Sequence, residues 1–128
     1  PEEKMWRGVL VNAIEDAGSK SQDRKPSIHK CDAHSWIMSN ITDFYTVCYY
    51  SGFEPEHVKE RYKMAIMKGD IQFSPRNFAW KKYSTQFTKY RNCKEVESKK
   101  YHRKHLTHLR NAVDLCTTVF ISNLVTSI

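Results

Sequence analysis

The chain has 128 residues, 40% of them hydrophobic, with 21 Lys and Arg against 14 Asp and Glu for a net charge of +7. That length suits one domain with a core of its own and is short for two. The charge favours a polyanion, nucleic acid above all, over an acidic small molecule, with a merely solvated helical surface as the competing reading.

The opening "EEKMWRGVLVNAIEDAG" repeats Met5, Trp6, Val9, Leu10, Ala13, Ile14 and Ala17 at helical spacing, with acids in its first turn and Gly18 as a stop. "SKSQDRKPS" is polar and proline-marked and reads as a flexible loop, whose Lys20, Arg24 and Lys25 are free to touch phosphates. "IHKCDAHSWIMSN" predicts a shorter helix burying Ala33, Trp36 and Ile37. A cap at Thr42 or Asp43 starts the next, with Phe44, Val47 and Cys48 on one face and Gly52 at its end. Glu54-Pro55-Glu56 opens a helix that turns Val58, Tyr62, Ala65 and Ile66 inward as far as Gly69.

Between Asp70 and Asn77 the periodicity breaks, leaving either a short extended segment or an ordered loop. Then "FAWKKYSTQFTKYRNCK" spaces Trp80, Tyr83, Phe87 and Tyr90 helically. "ESKKYHRKHLTHLRNAVDLCTTVFISNLV" carries Leu106, Leu109, Val113, Cys116, Phe120 and Leu124 on a long amphipathic helix with a basic first half. The expected fold is all-α, a single domain of about five helices over residues 1–128. It comprises a helix-turn-helix-like half (1–69) and a basic aromatic half (70–128), with a core around Trp6, Trp36, Phe44, Val58 and parts of the last helix.

Four cysteines, Cys31, Cys48, Cys93 and Cys116, stand singly with no Cys-x-x-Cys pair, and read as reduced thiols. No apolar run approaches the roughly 18 residues that span a bilayer, and no signal-peptide pattern opens the chain. A cytoplasmic protein, in a bacterium or a host cell, with no membrane partner is expected.

Two features carry the functional expectation. The first is the corner at Gly52, where Cys48, Gly52 and Val58 supply the small residue, the positive-φ glycine and the apolar anchor of a helix-turn-helix, while Arg61 departs from that pattern. The second helix of such a corner would offer Glu54, Glu56, His57, Lys59, Glu60 and Lys63 to a groove, and its acids oppose phosphates. A structural corner is the alternative. The second feature is the basic run of Arg76, Lys81, Lys82, Lys89, Arg91, Lys99, Lys100, Arg103, Lys104 and Arg110, suited to a phosphate backbone and to its release of counterions. His57, Lys59 and Lys63 complete the candidate nucleic-acid-binding set, duplex DNA being preferred to RNA. The aromatics of that half are read as core, with base stacking as the alternative.

His29, Cys31, His34 and a further Cys48 or Cys93 do not fix a zinc site, His102, His105 and His108 read as a solvated basic face, and no metal or other cofactor is expected. There is no glycine-rich phosphate loop, nucleophile elbow or apolar carboxylate pair, so no catalytic residues and no enzyme activity are expected.

The segments Trp6 with Ala13-Ile14-Glu15-Asp16-Ala17, Ala33-His34-Ser35-Trp36-Ile37-Met38-Ser39, Asp43-Phe44-Tyr45-Thr46-Val47-Cys48 and Ser51-Gly52-Phe53-Glu54-Pro55-Glu56-His57-Val58-Lys59 resemble small helical proteins of bacteriophages and prophage-like elements. The resemblance covers roughly the first half of the chain. It implies a DNA-binding, transcription-regulating role. Two other partners are weighed: a host protein, such as RNA polymerase or a defence nuclease, inhibited or redirected by this chain; and a second copy, joined through Val119, Phe120, Leu124 and Val125 of the last helix.

Overall fold

Apolar residues three and four apart recur along most of the sequence, and the computed structural model, which describes residues 2–126 and the side chains of 2–116, is helical wherever it is regular. The helices are α1 (Glu2–Gly18), α2 (Arg24–Met38), α3 (Thr42–Ser51), α4 (Pro55–Met67), α5 (Pro75–Asn92) and α6 (Val96–Thr126), and no strand occurs among the described residues. Six helices therefore stand where about five were expected. Cys93, with extended φ −78° and ψ 127°, ends α5 and separates it from α6.

Two segments differ from expectation for local reasons. The polar stretch read as a loop already contains the first turn of α2, because Pro26 falls where a missing N–H costs nothing and Asp23 precedes the helix. The stretch 70–77 is an ordered loop that ends at Ser74. Ser74 Oγ accepts from the Asn77 backbone N–H, and Asn77 Oδ1 accepts in return from the Ser74 N–H, a reciprocal cap that starts α5 at Pro75. At the start of α3 the N-cap is Ile41, with no side-chain cap, rather than Thr42 or Asp43. Asp43 accepts instead from Trp36 Nε1 at 2.8 Å.

The chain forms two units, one of Pro1–Ser21 with His29–Phe73 and one of Gln22–Ile28 with Ser74–Ile128. In the first, Leu10 and Ala17 of α1, Ala33 and Ile37 of α2, Phe44, Val47 and Cys48 of α3, Tyr62 of α4 and Ile71 form the core. Trp6, Trp36 and Val58 pack against it half-buried. The stripe that α1 buries is narrower than its apolar pattern: Met5, Val9 and Ile14 are exposed. Gly52 takes φ 79°, so the Gly52 N–H reaches Tyr49 O and the Phe53 N–H reaches Cys48 O, closing α3 in the left-handed way that glycine allows. Arg7 adds a cation there, donating from Nε to Ser51 O at 2.9 Å and covering the Phe53 ring.

Polar side chains are buried in this unit too. Lys30, 1% exposed, donates from Nζ to Ala17 O at 2.5 Å and Ser19 O at 2.7 Å, at the C-terminal end of α1. Burial pulls its pKa down, with the adjacent Cys31 pulling the other way. Burial also pushes the Cys48 thiol up.

His34 Nδ1 lies 2.7 Å from Tyr62 OH. Burial pushes the Tyr62 phenol up to about 12, so it stays a donor and the neutral imidazole accepts. Burial first, and the nearby Lys30 second, hold His34 below its ordinary 6.5. The unfolded chain therefore takes up a proton, between 6.5 and that lowered value, which the folded one does not. Stability is fully present above 6.5 and falls as pH drops through that window. The slope is at most about 1.4 kcal/mol per pH unit, and less because the ring is only part-buried. Urea titrations of wild type and His34→Gln across pH 4–7 should show this dependence shrink in the variant; an unchanged difference between them at every pH would remove His34 as its source.

In the second unit α6 packs on α5, contrary to the expectation that parts of the last helix share the core of Trp6 and Phe44. Trp80, Leu106 and Val113 are its buried apolar residues among those described. Asn77, also buried, donates from Nδ2 to the buried Ser27 Oγ at 2.8 Å, and Ser74 Oγ donates to Gln22 Oε1, which ties segment 22–28 to the start of α5. No helix among the described residues is long and apolar enough to cross a membrane.

Candidate nucleic-acid interface

Charge is unevenly distributed along the chain. From Arg76 to Arg110 there are eleven Lys and Arg and two acids, Glu95 and Glu97, a surplus of nine where the whole chain has seven. The remainder of the protein is slightly acidic. Helix α5 itself carries no Asp or Glu.

Most of the basic side chains line three grooves. Lys100, Arg103 and Lys104 are exposed and share one face of α6, as the spacing of three and four requires, lining a shallow groove of about 480 Å³ with Glu97, Tyr101 and Thr107. Lys100 and Arg103 also border a second groove, about 220 Å³, with Tyr90, Lys94, Val96 and Lys99. A third, about 300 Å³, has Lys81, Lys82 and Lys89 of α5 facing His105 of α6. Arg91 is exposed and lies outside all three.

Arg76 and Arg110 are placed differently. Their guanidinium carbons lie 5.9 and 4.6 Å from the Trp80 ring centroid, and Arg110 also pairs with Asp114 at 3.8 Å. Both cover the indole, a packing role that planar guanidinium groups fill well. Trp80 Nε1 is buried and makes no hydrogen bond among the described residues.

The aromatics expected in the core are only partly there. Trp80 is buried, Tyr83 and Tyr90 are half-buried and Phe87 is exposed. Their rings succeed one another along α5, Trp80 to Tyr83 at 5.7 Å, then Tyr83 to Phe87 and Phe87 to Tyr90 at 6.4 Å each. Arg24 covers Tyr83 and Phe87, and Lys99 Nζ stands 5.0 Å from the Tyr90 centroid. Tyr101, 68% exposed, was not among the residues singled out from sequence. Its position four residues after Glu97 and three before Lys104 is the signal that sets it on the basic face.

At the Gly52 corner, α3 packs more extensively on α1 than on α4. Lys59, expected as an exposed side chain of a groove-facing helix, is instead buried: its Nζ donates to Asn40 Oδ1 at 2.7 Å and Tyr45 OH at 3.0 Å and covers the Tyr45 ring. Tyr45 OH in turn donates to Glu56 Oε1 at 2.9 Å. Two side chains of the would-be reading surface are thus turned back onto α3, because a long lysine stem finds apolar rings to lie on and oxygens for its head. His57 and Lys63 are exposed, together with Glu54, Glu60 and Arg61.

Among the described residues no group of three or more His, Cys, Asp or Glu is placed to hold a metal ion. The four cysteines are free thiols, Cys31 and Cys48 buried, Cys93 and Cys116 half-buried. Val119, Phe120, Leu124 and Val125, the expected self-association face, lie outside the described side chains. No family model, curated protein or solved structure matches the chain.

Proposed function

We propose that this protein binds duplex nucleic acid, DNA in the first instance, through the phosphate backbone, with the α5–α6 face as the contact surface and a phage-type regulator as its role. The carrying observation is the exposed row Lys100, Arg103 and Lys104, flanked by Lys94 and Lys99 and edged by a single acid, Glu97. Such a row neutralises successive phosphates and releases their counterions. It makes no demand on base sequence. Lys81, Lys82 and Lys89 extend it on α5, whereas Lys59 has its ammonium engaged internally and Arg76 and Arg110 lie on Trp80.

Anisotropy of a labelled random duplex across a salt series tests this reading. Wild type should bind at low salt with affinity falling steeply as salt rises. The variant with Lys99, Lys100, Arg103 and Lys104 all changed to Ala should lose about one unit of logarithmic salt slope per phosphate contact removed, up to roughly 3 to 4. Failure of the wild type to bind at low salt would end the proposal.

A second reading, a protein partner, has its own observation. Leu10, Val11 and Ile14 of α1 face Phe53 and Val58 across an apolar groove of about 350 Å³ in the first unit, and Tyr49 and Tyr50 of α3 are exposed. Capture from a lysate that survives nuclease treatment favours it over nucleic acid.

A further inference from the structure

Two of the basic grooves share a feature that a blunt duplex does not use. Each has one tyrosine in its lining, Tyr90 in one and Tyr101 in the other, and both are bordered by the same pair of cations, Lys100 and Arg103. The order along this surface is ring, cations, ring. In a single strand the order of groups is base, phosphate, base, with the base faces available; in a duplex those faces are stacked on one another. We infer that this surface takes an unpaired dinucleotide step, with a base on each tyrosine and the intervening phosphate on Lys100 and Arg103, so that the protein prefers a duplex bearing a single-stranded tail to a blunt one. The inference rests on the backbone-binding reading and adds to it the class of nucleic acid recognised.

The surrounding residues suit this assignment. Lys99 Nζ covers one face of Tyr90, so an arriving base displaces an ammonium that is then free to meet the adjoining phosphate. In the Tyr101 groove the single acid, Glu97, stands against three cations, Lys100, Arg103 and Lys104, so a phosphate there is held by the cations and the exposed ring is left to a base. The Tyr101 ring lies 5.8 and 6.4 Å, between centroids, from the imidazoles of His102 and His105, and its side chain is open to solvent. Stacking on aromatic side chains tolerates any base, so no sequence preference is required.

The test uses the full chain and three probes: a blunt duplex, the same duplex with a single-stranded tail, and the isolated tail strand. At moderate salt the tailed duplex should bind wild type at least about 5-fold tighter than the blunt one, the low end of what a single stacked base supplies. Tyr90→Leu with Tyr101→Leu should bring the tailed-duplex affinity down to that of the blunt duplex measured with the same variant, while Tyr90→Phe with Tyr101→Phe keeps the advantage. Tyr101→Leu alone, at a position open to solvent, should remove part of it without disturbing the helices. Equal affinity of wild type for tailed and blunt duplex, or an advantage that survives both Leu changes, overturns the inference while leaving backbone binding intact. Binding to the tailed and isolated strands alone would instead overturn the duplex reading and keep this one.

Discussion

Replacing Lys30 by Ala should cost the first unit about 2–4 kcal/mol, one of the two largest losses expected from a single change in this protein. The ammonium is the hydrogen-bond donor to Ala17 O and Ser19 O, and the residue is 1% exposed, so water does not reach the site to replace it. Truncation leaves carbonyls at the end of α1 without their cation and opens a space beside the Phe73 ring, which Lys30 Nζ approaches at 4.6 Å. Lys30→Met should recover part of the loss, since it refills the volume and removes the cost of burying a charge, yet leaves the carbonyls unserved. Urea unfolding followed by far-UV dichroism gives the free energies, and hydrogen exchange locates the loss, which should appear in α1. An Ala variant within about 0.5 kcal/mol of wild type would mean that those carbonyls are satisfied in some other way.

Phe44→Ala should cost about 3–5 kcal/mol. The ring is fully buried, meets Trp36 edge-on at 5.2 Å and Tyr45 at 5.9 Å, and carries Lys59 Nζ at 5.5 Å. Its removal leaves a cavity among rings whose own positions depend on it, so collapse is only partial. Phe44→Leu should cost less than half as much. Because Lys59 lies over the same ring, the Ala variant should also lower α4 protection in hydrogen exchange more than that of α5. A loss below about 1 kcal/mol would show that the α2–α3 packing is looser than the ring contacts require.

Periodicity made the helical class and most helix positions legible, since Phe44, Val47 and Cys48, or Tyr62 with Ala65 and Ile66, can share a face in only one kind of element. What it did not convey is the fate of long amphipathic side chains. Lys30 and Lys59 are indistinguishable by sequence from Lys63, yet the first two are buried because carbonyl, amide and phenol oxygens happen to converge on their ammonium groups, a tertiary accident. The same applies to Arg76 and Arg110, which rest on Trp80. The basic row on α6 was legible because it needs only the helical period. Tyr101 was not legible as a surface aromatic because it stands alone among charges, outside the helical spacing of the other rings.

The segment Gln22–Ile28 belongs with residues from Ser74 onward, although the chain on either side of it belongs to the first unit. Neither unit is therefore a contiguous stretch of gene. A fragment beginning at Ser74 would lack Ser27, whose Oγ accepts from the buried Asn77 amide, and Gln22, whose Oε1 accepts from Ser74. Inheritance of the basic face on its own, by recombination at a single breakpoint, would deliver a helix start stripped of these two hydrogen bonds, so the two halves are expected to travel through evolution as one cassette.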